Sequence, residues 1–415
     1  MLATLFPTAS KKCLKLPLFG AVMEDFADWL VQQGYARLHM RATLNVVRKL
    51  DRYLRRRGVH RVEDITSLAL HLYWRTLRRR ARSEAGAVHI VERFLRMRGA
   101  LNSCVVATPT ASQVAEYSEY LRDVRGLASS SISEQVRVAE QFLAHLHFDN
   151  KPERLATICS RDIEGFVQKI GKSLSRVTLR DRVTLVRNFL RFLAAKGKVS
   201  PDLADQIDRP RVYRLEKLPR TLRWKTVQAL LRSIPKTSVK GRRDYTMLFL
   251  MASYGLRSCE VVALTLDDVD WRAGLIRIRQ SKTRNVLNLP LIDEVAMVLI
   301  EYLRQVSRPA GYRNLFFQVR APIKPLRREA LREAFDEWSK RSGLDIPFHG
   351  PHCIRHSYAV HLLRQDTSLK TIGDLLGHRR PESTASYLRL ATDQLREVGL
   401  PVPRPLLKKG GRHED

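Results

Sequence analysis

The sequence predicts a multidomain chain with an all-α first half made of two related helical units and a mainly helical α+β second half with one small antiparallel sheet. Three observations carry this. Residues 21–208 show apolar positions at three and four spacing with almost no strand signal, as in Phe26 and Leu30, then Leu44, Val47, Leu50 and Leu54. Two pairs of similar segments recur at a near-constant offset. Period-2 alternation appears only after a basic break at 208–220.

In chain order, residues 1–20 read as an N-terminal arm, followed by a helical unit at 21–105. EDFADWL (24–30) is similar to AEYSEYL (115–121), an offset of 91 (115 − 24), and VERFLRMRG (91–99) is similar to VRNFLRFLA (186–194), an offset of 95 (186 − 91). Such spacing suggests a duplicated domain rather than a short-period solenoid, and places a second unit at 110–208. The first unit carries the basic runs Arg55, Arg56, Arg57 and Arg78, Arg79, Arg80, Arg82. The stretch DRPRVYRLEKLPR, with two prolines and many cations, reads as an interdomain linker at 209–220.

Beyond the linker, helices are expected at 221–234 and 242–256. Ile276 and Ile278 alternate with Arg277 and Arg279, then Leu287, Leu289 and Leu291 with Asn288 and Pro290, so the segment folds as a β-hairpin around SKTR. Residues 325–399 return to helical spacing. A catalytic domain at 221–400 and a tail at 401–415 complete the division.

Composition narrows the partner. The 415 residues hold 74 Lys and Arg against 42 Asp and Glu, a formal net charge of +32. A charge excess of that size fits a polyanion, because neutralising phosphates releases condensed counterions. The apolar run Tyr245–Leu256 is shorter than the roughly 20 residues a spanning helix needs, so no membrane partner is expected. Lys11, Lys12 and Lys15 interrupt any leader-like stretch, and a cytoplasmic protein is expected. Cys13, Cys104, Cys159, Cys259 and Cys353 are dispersed and form no CxxC pair, which argues against zinc and against a disulfide framework.

Five features of the second half carry chemistry when read together. Arg257 follows Gly-Leu at the end of an apolar helix in YGLRSCEV, where an ion pair with Glu260 is the plain structural alternative. Lys282 stands at the hairpin tip. PHCIRHS places His352 and Arg355 three apart, on one helical face. In LLGHRR, Gly377 ends a helix and His378 occupies the turn beyond it. Tyr387, in STASYLRL, lies nine residues further on (387 − 378). Tyr358, on the HxxR helix, is the rival tyrosine and reads as core.

In that order, Arg, Lys, His-x-x-Arg, His and Tyr resemble the active-site signature of the tyrosine recombinase (phage integrase) family, a site-specific DNA recombinase class. The resemblance is strong over 215–400 and moderate over 110–208, which is similar to the family's SAM-like core-binding domain. Residues 21–105 then form an additional core-binding-like unit. The hairpin lacks the glycine-flanked lysine frequent in the family, which leaves Arg284 as a rival cation to Lys282.

The resemblance implies cleavage and rejoining of double-stranded DNA through a covalent 3′-phosphotyrosine, with no metal, nucleotide or other cofactor. Tyr387 is the implied nucleophile, Arg257 and Arg355 stabilise charge building on the phosphate, and His352 assists the phenol. His378 holds the phosphate, and Lys282 protonates the leaving 5′ oxygen. It further implies a homo-oligomer on DNA, a tetrameric synapse, with accessory or related recombinases as possible additional partners. A stripe at Leu390, Leu395 and Val398 would pack on its own catalytic domain or, as the resemblance favours, dock on a neighbouring protomer. The uses expected are integration, excision or transposition of a mobile element. The competing readings are a type IB topoisomerase-like relaxing enzyme and a non-catalytic architectural DNA-binding protein.

Overall fold

The computed structural model describes residues 2–101, 108–213, 216, 218–280, 285–306 and 308–390. Lys282, Arg284, Cys104 and the tail beyond Leu390, with Leu395 and Val398, lie outside the described residues.

Two short helices, α1 (Leu2–Leu5) and α2 (Pro7–Leu14), precede α3 (Met23–Gln32), α4 (Arg37–Arg55), α5 (Ser67–Arg80) and α6 (Arg82–Met97). A second set follows in the same order: α7 (Pro109–Glu119), continued by a π-helical turn at Tyr120–Val124, then α8 (Ser129–His145), α9 (Ser160–Gly171) and α10 (Arg176–Ala195). The similar segments fall on α3 and α7, and on α6 and α10. Side-chain caps set several starts. Thr66 accepts from the Ala69 N–H at 3.2 Å to open α5, and Thr108 accepts from Ala111 at 3.1 Å to open α7 ahead of Pro109.

By contacts the chain forms two compact units, one of residues up to 52 together with those from 217 on, the other of residues 53–216. In the second, α10 packs against α8 and α9. Tyr117, Phe142, Phe189 and Leu193 are fully buried there. Tyr117 brings a hydroxyl into that core, and its O–H donates to the Gln135 Oε1 at 2.7 Å, which removes the cost of an unpaired hydroxyl.

The other unit is built on α12 (Val239–Tyr254), whose second half is apolar nearly all round and therefore buried, with Met247, Leu248, Leu250 and Met251 fully covered. Packed on it are α11 (Trp224–Ser233), α13 (Ser258–Ala263), α14 (Asp293–Gln305), α15 (Ala330–Arg341) and α16 (His352–Leu363). The buried carboxylate of Asp244 takes the Arg243 guanidinium at 2.6 Å and the Trp338 indole N–H at 3.0 Å, tying α12 to α15. The sheet, β1 (Val269–Asp270), β2 (Leu275–Arg279) and β3 (Val286–Pro290), is antiparallel throughout. Ile276 and Ile278 are buried while their neighbours along β2 are exposed, as the alternation predicts. The chain ends its described course with α17 (Leu369–Leu376), α18 (Pro381–Ala385) and a 3₁₀ turn at Leu388–Leu390. Among the described residues no helix is long and apolar enough to cross a membrane.

Candidate active site

Two helix ends make the floor. Gly255 closes α12 and Gly377 closes α17, both left-handed (φ 62° and 61°). A methyl group on Gly255 would press Tyr358 at 2.6 Å and Leu376 at 2.7 Å, and one on Gly377 would collide with the Gln280 amide. Glycine is therefore required at both turns by conformation and by space.

Helix C-termini leave carbonyl oxygens unpaired. Arg355 uses two of them. Its Nη1 donates to the Gly255 carbonyl at 2.7 Å and its Nη2 to the Leu376 carbonyl at 2.6 Å. The guanidinium is 2% exposed, and burial followed by the nearby Arg257 charge pushes its pKa down to about 10. It stays cationic at neutral pH, fixed before any ligand arrives.

Arg257 sits at the start of α13. Its backbone N–H donates to Glu260 at 2.8 Å and its Nη1 donates to the same carboxylate at 2.6 Å. The ion pair with Glu260 is thus present, and the paired guanidinium also lines the pocket.

His352 and Arg355 lie one turn apart on α16, as their spacing predicts. His378 follows Gly377, with its ring Nδ1 2.9 Å from the Thr384 hydroxyl. Tyr387, just past α18, is 2% exposed, in an apolar nest with Ala359, Val360, Leu363, Ile372 and Leu376. Burial raises its phenol pKa, and the Arg355 and Arg257 charges partly offset that rise.

These side chains open onto one pocket of 640 Å³, lined by Arg257, His352, Arg355, His378 and Tyr387 among others. Five of the six residues singled out in the sequence therefore meet at one place. Lys282 is the sixth, and of its hairpin the described parts are β2 and β3, paired Arg279 to Val286. The rival Tyr358 does not line this pocket and packs toward Trp224, ring centroids 6.4 Å apart.

The sequence reading missed His356. Its Nδ1 lies 3.0 Å from the Tyr387 hydroxyl, and its ring meets that of His352 edge-on at 4.5 Å. Burial, then the neighbouring His352, Arg355 and His378, push its pKa down to about 4. The signal was present: residues 352 and 356 are four apart on a helix and share its face.

Comparison with known proteins agrees with this architecture. Residues 220–394 match the Phage integrase family and residues 114–197 match the Phage integrase, N-terminal SAM-like domain. A putative integrase/recombinase, y4rA, of Sinorhizobium fredii (strain NBRC 101917 / NGR234) is 33% identical over 385 residues, covering 91% of this chain and 93% of the relative. Tyrosine recombinase XerD of Listeria innocua is 28% identical over 291 residues, covering 69% and 96%. Among solved structures, a lambda integrase(75-356) dimer bound to a COC' core site superposes with TM-score 0.51 at 16% identity, over 66% of this chain and 94% of that one. XerH bound to palindromic difH substrate gives 0.51 at 18%, over 69% and 83%, and at such identity the likeness concerns the fold.

Helical units joined to a helical domain with a three-stranded sheet, carrying these matches, define an enzyme of DNA breakage and rejoining. The chain belongs to the phage integrase, or tyrosine recombinase, family.

Proposed function

We propose that the protein is a site-specific recombinase that cuts and rejoins double-stranded DNA through a covalent 3′-phosphotyrosine at Tyr387, and that it serves a mobile element by integration, excision or transposition. The observation that carries this reading is the convergence of Arg257, His352, Arg355, His378 and Tyr387 on one pocket.

In this reading a scissile phosphate enters between the two guanidiniums. The Tyr387 oxygen attacks phosphorus as its proton passes to His352, the bond to the 5′ oxygen breaks, and Lys282 supplies that oxygen's proton. Arg257 and Arg355, held by Glu260 and by two helix-end carbonyls, are fixed donors for the charge that grows on the non-bridging oxygens. Donors that need no reorganisation at the moment of reaction stabilise the transition state more than the ground state. His378, steadied by Thr384, completes the ring of donors. The phosphotyrosine conserves the bond energy, so rejoining needs no nucleotide.

Residues 110–208 are assigned to clamping the core DNA opposite the 221–400 domain, and residues 21–105 to a further contact. Assembly is a homo-oligomer on paired sites in the cytoplasm; Leu388 and Leu390 pack beside Tyr387 in their own chain, which takes Leu390 out of the docking stripe and leaves the segment beyond it to dock on a neighbour. The supporting experiment uses nicked duplexes tiled across the DNA that flanks the protein's own coding sequence. Covalent protein–DNA adducts at one discrete position support the reading. Relaxation of any supercoiled plasmid without site preference would instead favour a topoisomerase.

A further inference from the structure

His356 stands in the pocket yet outside the ordered set of Arg, Lys, His, Arg, His and Tyr. It is the described residue whose side chain makes the hydrogen bond to the Tyr387 hydroxyl, at 3.0 Å. His352, to which the sequence assigns assistance of the phenol, is exposed at the rim, one turn outward on the same face of α16.

We infer that His356 is a positioning residue for the nucleophile, accepting the Tyr387 O–H at Nδ1 and holding that oxygen in the pocket in line for attack. The inference rests on the recombinase reading. The apolar nest on α16 and α17 fixes the tyrosine ring but has no group that can fix the direction of its hydroxyl. His356 supplies that group.

The charges around the ring set its state. From its own helix it faces His352 and Arg355, from the turn after α17 it faces His378, and Arg257 faces the pocket from the start of α13 paired to Glu260. A second proton on His356 is opposed by burial and by these neighbours, so the ring is neutral at working pH and holds a lone pair for the phenol. The opposite polarity, with Nδ1–H donating, would leave the phenol proton with no acceptor among the described residues. A ring that takes a proton only near pH 4 is also a poor resting place for the proton of a phenol whose pKa is raised. His356 therefore aligns Tyr387 and does not deprotonate it.

The test compares the full-length wild type with His356→Asn, which puts an amide oxygen near the Nδ1 position, and with His356→Phe, which keeps the ring volume but has no acceptor. His356→Leu serves as a second acceptor-free variant should the phenylalanine form melt early. The readout is the single-turnover rate of covalent adduct formation on a nicked duplex that the wild type attacks, with DNA affinity measured alongside.

The expected result is a loss on the order of 10²-fold for Phe and Leu, within the effect of misaligning a reacting atom, with affinity changed less than about threefold. Asn should recover to within about tenfold of wild type. A substrate with a 5′-bridging sulfur, whose leaving group needs little protonation, should not rescue Phe. The inference is overturned if Phe matches wild type, if Asn falls as low as Phe, or if the sulfur substrate restores Phe, which would place His356 on the leaving-group side. A wild type that forms no adduct on any duplex sinks the recombinase reading itself.

Discussion

Arg355 and Arg75 carry the same guanidinium in opposite settings. Arg355 is 2% exposed, and two helix-end carbonyls fix its orientation. Arg75 is exposed on α5, and it shares a surface cleft with Arg57, Arg80, Tyr53 and Thr76. Arg57 and Arg78 rest on the rings of Tyr53 and Trp74 at 4.5 and 5.1 Å. None of Arg57, Arg75, Arg78 and Arg80 pairs with a carboxylate among the described residues. One region spends its cations as fixed point donors and the other as a diffuse field. The first arrangement suits chemistry at one phosphate, and the second suits affinity for many phosphates.

That contrast makes ordered predictions. The largest effect belongs to Tyr387→Phe, which should abolish adduct formation on a nicked duplex while DNA affinity stays within about twofold, since one buried hydroxyl is lost and no charge changes. Next comes Arg257→Ala, expected to lower the cleavage rate by about 10²–10³-fold, the usual range for one transition-state donor. Single-turnover cleavage and filter binding measured together check it, and a loss confined to binding would move Arg257 into the diffuse class.

A smaller effect concerns stability. His356 has its pKa lowered to about 4 from an ordinary 6.5. As pH falls the unfolded chain takes up the proton first, so folding stability is lost between about pH 6.5 and 4 and is fully present above that window. Between pH 7 and 5 this group should account for about 2 kcal/mol, the pKa difference taken at about 1.4 kcal/mol per unit over that part of the window. Denaturant titrations of wild type and His356→Asn at both pH values should show the wild type losing more by that amount. Equal losses would mean that the ring is not held neutral.

The smallest effect on chemistry is expected from the exposed cleft. Replacing Arg75 and Arg80 together by Ala should leave cleavage of a saturating substrate within about twofold, yet reduce the salt slope of DNA binding by up to about two. An unchanged slope would assign that surface to another partner.

Much of this was legible in the sequence because it is local. The hairpin follows from alternation at Ile276 and Ile278, the α17 stop from Gly377, and the spacing of His352 and Arg355 from the helical period. The setting of Arg257 was harder to see, since YGLRSCEV offers Glu260 as a partner and only the fold shows that the paired guanidinium also lines the pocket. His356 was missed because nothing next to it in the sequence marks it, its partner Tyr387 being 31 residues away. Nor does periodicity reveal that residues up to 52 group with those from 217 on. That association rests on contacts distant in sequence, such as the Ile323 N–H donating to the Gln33 carbonyl at 3.2 Å. Long-range pairings of this kind leave no trace in a local window.

The measurement that tests the central claim most directly is mass mapping of the peptide that carries DNA after wild-type protein is trapped on a nicked duplex and digested. The account predicts one modified peptide, containing Tyr387 linked to a 3′-phosphate. A trapped adduct at Tyr358, or at any residue outside the pocket, would contradict it.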